Sequence, residues 1–488
     1  EGQATGVQVN NTYGQPGSDA TIRIRGFSSV NGSNAPLYVL DGVPYNGNIS
    51  DLNPQDIENI SVLKDAASSA LFGNRASNGV IIITTKKGKS DRVQLTASIS
   101  QGVFNKGLQE YDKLDSYQFM ETMWKGLRNY YMTSQPTVYP TTEVANAAAT
   151  NNLIPTYLKY NIFNKPSNAL FDSSGKLQAG TQILPGYDDL NWFKYIERMG
   201  HRQDYVVTGN AATDKGSYYF SAGYLGEEGY FKSSDFKRFT GRANISFQPK
   251  KWIKAGLQIS GTHQITNFTP GDPADATQFK NPLYFARNMA PIYPVYLHDM
   301  NTGEYTLDSD GNRQYDNGSK YGRPQNLDRH IVWENELNSD VTYRNTLGSQ
   351  AFIELNLYKN LKFVTKADVS LRDSENQSYD NAIIGDGAGN KGRANRTIYR
   401  YKNYTFQQQL LWNKEFNLHN IDFLAGHENY SYNYSYLYGF KTTETFTNGT
   451  ELINFTEITS LNGYQVDYRT ESYLSRARYN YDNKYFFT

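Results

Sequence analysis

The residue types that most often carry out chemistry are present but are not grouped. The six histidines have no spacing typical of a zinc site, and they stand at His201, His263, His298, His330, His419 and His427. Acidic residues are numerous, but no two can be placed together in a cleft, as glycoside cleavage would require. We therefore expect no enzyme activity, no resident metal and no cofactor.

Two polar segments resemble ligand-binding loops. Residues 308–312, Asp-Ser-Asp-Gly-Asn, followed by Asp316, place oxygen atoms at alternate positions, as calcium prefers, but lack the closing bidentate glutamate. We predict a polar surface turn there. Residues 385–392 are glycine-rich like a phosphate-binding loop, but no strand-to-helix context surrounds them and no Ser or Thr follows Lys391. We predict a plain loop.

The overall composition narrows the class of protein. The 48 basic and 48 acidic residues balance, and no run of basic residues suggests nucleic acid as a partner. A mean hydropathy of −0.67 and the lack of long apolar runs argue against membrane-spanning helices. They leave a β-barrel open, because its inward and outward residues alternate and average out. The 40 tyrosines suit a membrane–water interface.

The elements that must position any site are mostly strands. Polar and apolar residues alternate in 93–100, 238–247 and 253–260, so each segment has one apolar and one polar face. We predict ten strands near residues 92–103, 203–213, 217–226, 236–249, 252–265, 341–358, 361–373, 397–415, 419–438 and 464–481, with an eleventh starting at Tyr485.

The lengths of the connections favour a membrane barrel over a soluble sandwich. Very short turns near residues 214–216, 249–251, 359–360, 416–418 and 482–484 alternate with long links at 104–202, 266–340, 374–396 and 439–463. Outer-membrane barrels have short periplasmic turns and long outer loops. Ten strands and a fragment leave an edge unpaired, so we expect further strands beyond Thr488.

The first long link contains a segment with a helical apolar pattern. In residues 115–131 the apolar side chains recur at helical spacing, namely Phe119, Met120, Met123, Trp124 and Leu127. This amphipathic face could pack in a core formed by the link itself, or against a lid protein. We favour the former.

The first ninety residues differ from the rest, because their sequence predicts short strands and helices instead of long alternating strands. Strands are predicted at 21–26, at 35–44 with an Asp-Gly turn at its end, at 60–63 and at 80–86. Pro54 can open a helical turn after Asn53. A short helix over 66–72 would be capped by Asp65 and closed by Gly73.

Four motifs within these residues resemble the plug domain of SusC-like TonB-dependent transporters. They are Ile-Arg-Ile-Arg-Gly-Phe-Ser-Ser at 22–29, Leu-Asp-Gly-Val-Pro at 40–44, Val-Leu-Lys-Asp-Ala-Ala-Ser-Ser-Ala-Leu-Phe-Gly at 62–73, and Arg-Ala-Ser-Asn-Gly-Val-Ile-Ile-Ile-Thr-Thr-Lys-Lys-Gly at 75–88. The resemblance implies a transmembrane antiparallel β-barrel of about 22 strands when complete, roughly ten of them here, filled by a mixed α/β plug. Residues 1–90 would form the plug, without its first residues, and residues 91–488 the first part of the barrel.

The same resemblance implies a function at the bacterial outer membrane. The barrel would sit in outer-membrane lipid and import a large nutrient, an oligosaccharide first and an oligopeptide as the alternative. A SusD-like surface lipoprotein would act as a lid, and TonB would pull the plug through a segment that we do not find in this sequence. A soluble extracellular glycan-binding or adhesion β-protein is the alternative from another class.

The resemblance also suggests which plug residues matter. Arginines of the plug, opposite inward-facing acids such as Glu354 and Asp368, would form a latch that loosens during transport; ordinary fold support is the alternative. The signature and latch residues are Arg23, Arg25, Gly26, Asp41, Gly42, Asp65, Gly73, Arg75 and Gly79. Polar plug loops would form a floor for the substrate, through Phe27, Ser28, Ser29, Asn31, Asn34, Tyr45, Asn46 and Asn48.

Overall fold

The computed structural model describes residues 5–10, 15–27, 29–64, 75–89, 91–107, 109–268 and 280–487. The predicted helix over 66–72, its flanking residues Asp65 and Gly73, and Ser28 lie outside these ranges. Across the described ranges the strands form sheets of two, four and eleven strands. Within the same ranges, no helix has both the length and the apolar character that a membrane crossing needs.

The first described residues form two small sheets. Strands β1 (Val7–Asn10) and β2 (Thr21–Ile24) pair antiparallel. The four-stranded sheet has the order β4-β3-β6-β5, with strands β3 (Leu37–Leu40), β4 (Val43–Tyr45), β5 (Ile57–Leu63) and β6 (Val80–Thr85). Strands β3 and β6 run parallel, and the other neighbours run antiparallel.

The single strand predicted over residues 35–44 is in fact a hairpin. Asp41 and Gly42 both have positive φ angles, 49° and 89°, which reverse the chain between β3 and β4. The helical turn predicted after Asn53 is confirmed as a 3₁₀ turn, Pro54–Asp56, in which the Asn53 side chain accepts the N–H of Gln55. Sequence reasoning placed the Asp-Gly turn correctly, but it assigned Val43 and Pro44 to the wrong strand.

The eleven-stranded sheet follows chain order, and each strand pairs antiparallel with the next. All eleven predicted strands are present, most of them longer than predicted. They are β7 (Gln94–Phe104), β8 (Gly200–Thr213), β9 (Gly216–Glu228), β10 (Asp235–Lys250), β11 (Ile253–Asn267), β12 (Ser339–Tyr358), β13 (Leu361–Asp380), β14 (Arg393–Phe416), β15 (His419–Glu444), β16 (Phe455–Tyr481) and β17 (Tyr485–Phe487).

In this sheet the apolar side chains are on the exposed face and the polar side chains are on the buried face, the reverse of a soluble protein. On β10, the apolar side chains of Ile245 and Phe247 are 52% and 55% exposed, whereas Arg242 and Asn244 on the other face are 8% and 4% exposed. The polar face is buried because the small four-stranded sheet lies against it. A soluble sandwich would show the opposite arrangement, so the fold is a transmembrane β-barrel wall, present in part, around a plug.

A row of aromatic rings crosses the exposed face. Tyr205, Tyr224, Phe239 and His263 stand on four neighbouring strands, with ring centroids 5.0 to 6.3 Å apart from one strand to the next. Aromatic rings of this kind are typical of the membrane–water interface. This part of the tyrosine prediction agrees with the structure.

The two longest links fold together into an apolar unit. They contain helices α1 (Ser116–Ser134), α2 (Thr142–Asn152), α3 (Phe193–Ile196), α4 (Pro282–Asn288) and α5 (Ile331–Leu337). We call their shared cluster the loop core; its fully buried members include Met120, Trp124, Leu153, Ile162, Phe285, Ile292 and Ile331. The predicted helix therefore packs in a core that its own link forms together with the second link.

The two segments that resemble ligand-binding loops, residues 308–312 and 385–392, form a turn and a short connection between strands. Asp308 accepts the backbone N–H groups of Asp310 and Asn312 at 2.9 and 2.8 Å, which closes the predicted surface turn. Asp316 does not belong to that turn, because it is buried and accepts the Tyr160 hydroxyl at 3.0 Å. Residues 385–390 form a short 3₁₀ segment between two strands of the wall.

Candidate functional site

The contact between plug and wall is concentrated on one stretch of the plug, residues 48–56, which we call the anchor segment. The guanidinium of Arg238 donates to the carbonyl oxygens of Ser50 and Leu52 at 2.8 and 3.1 Å. Gln264 donates to the same Ser50 carbonyl at 2.8 Å, and Thr262 donates to the Asp51 carbonyl at 2.9 Å. The wall thus holds the main chain of the plug.

Two buried carboxylates add charge to the anchor segment. Asp51 lies 3.3 Å from Arg344, and Asp56 accepts the Tyr219 hydroxyl at 2.8 Å and lies 3.6 Å from Arg242. Burial raises the pKa of the Asp51 carboxyl, and the positive charge of Arg344 opposes that shift. The positive charge of Arg344 thus offsets part of the cost of burying the Asp51 carboxylate.

A second contact forms around the Asp41-Gly42 turn. Lys366 of the wall donates to the Asp41 carbonyl at 3.2 Å. The Asp41 carboxylate accepts the backbone N–H and the hydroxyl of Thr85 at 2.9 and 2.7 Å, and Asn244 donates to that Thr85 oxygen at 3.0 Å. A Cβ atom at Gly42 would lie 2.7 Å from the Lys366 nitrogen. Both signature residues thus fix the turn where the wall meets it.

The plug arginines are placed differently from one another. Arg75 pairs with Glu428 of the wall, whose other oxygen accepts Gln407 at 2.7 Å. Arg23 lies over the ring of Phe27, 4.2 Å from its centroid. Among the described residues, no ion pair involves Arg23 or Arg25.

The two wall acids named with the latch are not its partners. Glu354 pairs with Lys362 on the neighbouring strand, and Asp368 lines a small polar cavity of about 80 Å³ between plug and wall. Apart from Arg75 and Glu428, the ion pairs across the contact run from wall arginines to plug acids. This is the reverse of the charge arrangement that the sequence suggested.

Several other signature and floor residues that the structure describes have contacts within the plug or none with the wall. Gly26 and Gly79 have φ angles of 94° and 84°, and a Cβ at Gly79 would lie 2.9 Å from Ile24. Ser29 and Asn34 tie their own loop together, because each donates to the other. Phe27 and Asn31 are exposed.

The plug reaches the wall again at its apex, beside a cavity of about 400 Å³. Asn46 donates to the Tyr430 hydroxyl at 2.6 Å. Arg372 donates to the Asn48 side chain at 2.7 Å and lies over the ring of Tyr401 at 4.0 Å. Tyr45 donates to the Asn48 carbonyl at 3.1 Å, within the plug. Of the predicted floor residues that are described, only Asn46 lines this apex cavity.

The wall above the apex carries a group of tyrosines that sequence reasoning missed. Every second residue of β15 from Tyr430 to Tyr438 is a tyrosine, so five rings share the inward face with Glu428. Neighbouring strands extend the group, which we call the tyrosine wall: Tyr399, Tyr401, Tyr430, Tyr432, Tyr434, Tyr436, Tyr438, Tyr464 and Tyr468. The period-two repeat at 430–438 was the available signal, but these tyrosines were assigned to the membrane interface.

Comparison with known proteins agrees with this architecture. The family model "TonB-dependent Receptor Plug Domain" matches residues 2–80. TonB-dependent receptor P39 of Formosa agariphila is 27% identical over 503 aligned residues, covering all of this chain and 40% of that protein. TonB-dependent receptor SusC of Bacteroides thetaiotaomicron is 32% identical over 253 residues, covering 50% of this chain and 20% of SusC.

These matches support a SusC-like TonB-dependent receptor. Its fold resembles the solved RagAB peptide importer in the open-open state, with a TM-score of 0.74 and 20% identity over 99% of this chain and 50% of that chain. This receptor is accordingly a protein of the bacterial outer membrane. The chain spans less than half the length of the curated relatives that it matches.

Proposed function

We propose that this receptor takes part in active import of a large nutrient across the outer membrane and is not an enzyme. The observation that carries the proposal is the polar contact between plug and wall. The wall holds the plug by hydrogen bonds and ion pairs rather than by an apolar core. Polar contacts of this kind can be exchanged for water at modest net cost, so a plug held this way can leave the lumen and return.

In this proposal residues 1–90 act as the plug and residues 91–488 as the first part of the barrel. TonB supplies the pull from the periplasmic side, and a SusD-like lipoprotein covers the outer opening. The pair of Arg75 and Glu428 is the latch near the apex, and the anchor segment is the main resistance to release. Arg23 and Arg25 support the fold of the plug.

Oligosaccharide is the substrate class that we favour. The apex cavity presents tyrosine rings and an amide but few charges, which suits a neutral ligand with hydroxyl groups. Oligopeptide import is the second candidate, because the similar RagAB structures are described as peptide importers. Uptake of labelled oligosaccharides and labelled peptides by a deletion strain separates the two.

The import proposal can be tested by fixing the plug to the wall. The 488 residues contain no cysteine, so a pair introduced at Thr85 and Asn244, whose side chains are 3.0 Å apart, meets no competing thiol within them. Joining the two thiols by oxidation or by a short bismaleimide should abolish uptake, and reduction of the disulfide should restore it.

The matched control places single cysteines at the same positions and treats them identically; their uptake should not change. Full uptake through a receptor whose plug is quantitatively joined to the wall would contradict the proposal.

A further inference from the structure

The tyrosine wall forms one connected aromatic surface. Tyr401 lies 4.9 Å from Tyr434, Tyr399 lies 5.3 Å from Tyr436, and Tyr464 lies 5.1 Å from Tyr436, measured between ring centroids. Tyr436 and Tyr438 are nearly parallel, with an angle of 7° between their planes. Because the rings contact each other, each is held in place before any ligand arrives.

The surface is accessible and leads to the plug. Tyr430, at its lower end, is buried against Asn46, whereas Tyr432, Tyr434, Tyr436 and Tyr438 above it are half-buried. From Tyr430 to Tyr438 the strand advances about 27 Å. The tyrosine wall therefore runs from the apex cavity toward the outer ends of the strands.

The tyrosine wall itself carries aromatic rings and uncharged polar groups. On β14, β15 and β16 the inward positions level with the tyrosines are uncharged; apart from tyrosines they include Thr397, Asn462 and Val466. The charged residues of the same stretches, Arg400, Lys402 and Asp467, stand on the alternate, outward positions. A ligand in contact with this surface meets flat apolar rings with hydroxyl groups at their edges.

We propose that the tyrosine wall binds the sugar rings of a neutral oligosaccharide and guides the chain toward the apex cavity. A pyranose ring has an apolar face of C–H groups and a rim of hydroxyls, which matches a tyrosine ring and its hydroxyl. A peptide brings charged termini and backbone amides, whereas the charged groups that border this surface are already engaged: Arg372 donates to Asn48, and Arg75 pairs with Glu428. The inference rests on the proposed import function and names the ligand class and the residues that bind it.

The test measures binding to the purified full-length receptor by calorimetry. The probes are maltohexaose, cellohexaose, xylohexaose and laminarihexaose, with a neutral and a charged hexapeptide. We expect at least one of the neutral oligosaccharides to bind and neither peptide to compete. Replacing two central rings together, Tyr434→Ala with Tyr436→Ala, should weaken binding at least about tenfold, since loss of aromatic anchors dominates binding energies.

Two controls separate stacking from folding. The double variant Tyr434→Phe with Tyr436→Phe keeps both rings and should stay within about threefold of the unaltered receptor. Tyr404→Ala removes an exposed tyrosine from the outward face of β14 and should leave binding unchanged. If the alanine double variant bound as tightly as the Tyr404 variant, the proposal would be overturned.

Other results overturn the ligand class alone. If none of the four oligosaccharides binds, or if a hexapeptide binds and depends on Tyr434 and Tyr436, the tyrosine wall is not a track for neutral sugars. The import proposal is tested separately by the joined plug. If the tyrosine wall does not bind sugar, the import proposal is unaffected. Conversely, a receptor that binds sugar but still transports with its plug joined to the wall would contradict the import proposal and leave the sugar-binding proposal intact.

Discussion

Two buried regions of this receptor are built on opposite principles. The loop core packs aromatic and aliphatic side chains from two links that are far apart in the sequence. The plug–wall contact pairs arginines and amides of the wall with carbonyl oxygens and carboxylates of the plug. The loop core gains stability by excluding water, whereas the plug–wall contact exchanges protein partners for water at low net cost. Under the import proposal, the loop core stays together while the plug–wall contact separates.

The largest effect should come from emptying the centre of the loop core. Trp124 is fully buried and its indole N–H donates to Thr150 at 2.9 Å. Trp124→Ala should cost about 3–5 kcal/mol in stability of the loop unit, measured by limited proteolysis and thermal unfolding of the purified receptor. Met123→Ala, on the exposed side of the same helix, is the control. Equal proteolysis of the two variants would show that the loop core does not hold the links together.

Acid should weaken the loop core through His330. Its Nε2 can only donate to the Val295 carbonyl at 2.7 Å, and its Nδ1 must accept the Trp333 N–H at 3.1 Å, so the ring is neutral. Burial lowers the pKa of His330 to about 3. The unfolded chain takes up a proton below about pH 6.5 and the folded chain does not.

Stability of the loop unit should therefore fall by about 1.4 kcal/mol for each pH unit between about 6.5 and 3. Unfolding midpoints measured from pH 7 to 4 check this. In His330→Asn, which keeps an acceptor for the helix N-terminus, the pH dependence in this window should flatten. An unchanged pH slope would refute the assignment to His330.

An intermediate effect is expected at the anchor segment. Arg238→Met removes the donors to Ser50 and Leu52 and should weaken plug docking by about 1.5–3 kcal/mol, because the lost bonds come from a charged group. Entry of vancomycin into cells reports a loosened plug and should increase. Lys237→Met, on the outward face of the same strand, should leave vancomycin entry unchanged. If Trp124→Ala unfolds the loop core without increasing vancomycin entry, the loop core and the plug–wall contact are independent of each other.

The smallest effect is expected at the latch. The side chains of Arg75 and Glu428 are 30% and 11% exposed, and pairs that water reaches contribute about 0–1 kcal/mol. A double-mutant cycle with Arg75→Gln and Glu428→Gln, measured by plug release in urea, should give a coupling energy within that range. A coupling energy well above that range would mean that the pair of Arg75 and Glu428, rather than the anchor segment, is the main resistance to plug release.

The strands of the wall were predictable because their signal is local. Alternation in residues 238–247 gives both the strand and its two faces. Alternation does not tell which face is buried, and that depends on the plug. This is why the inward tyrosines at 430–438 were misassigned, and why Arg238 and Arg242 were overlooked as partners of the plug.

The loop core and the exact pairing of charges were not predictable in the same way. Trp124 and Phe285 meet in one cluster although 160 residues separate them, and no local pattern encodes that meeting. The helix carrying Trp124 was found because its apolar spacing is local. The acids Asp51 and Asp56 were not singled out, since short 3₁₀ turns have no periodic pattern to reveal a buried side.

Because the wall binds carbonyl oxygens at Ser50, Asp51 and Leu52, it recognises the path of the main chain there as well as the side chains of Asp51 and Asp56. Substitutions at Ser50 can therefore accumulate without loss of fit as long as the turn keeps its shape. A plug borrowed from a diverged relative should seat in this barrel on the same grounds if it keeps acids at the positions of Asp51 and Asp56. Evolution can then alter the apex of the plug while the contact below it stays interchangeable.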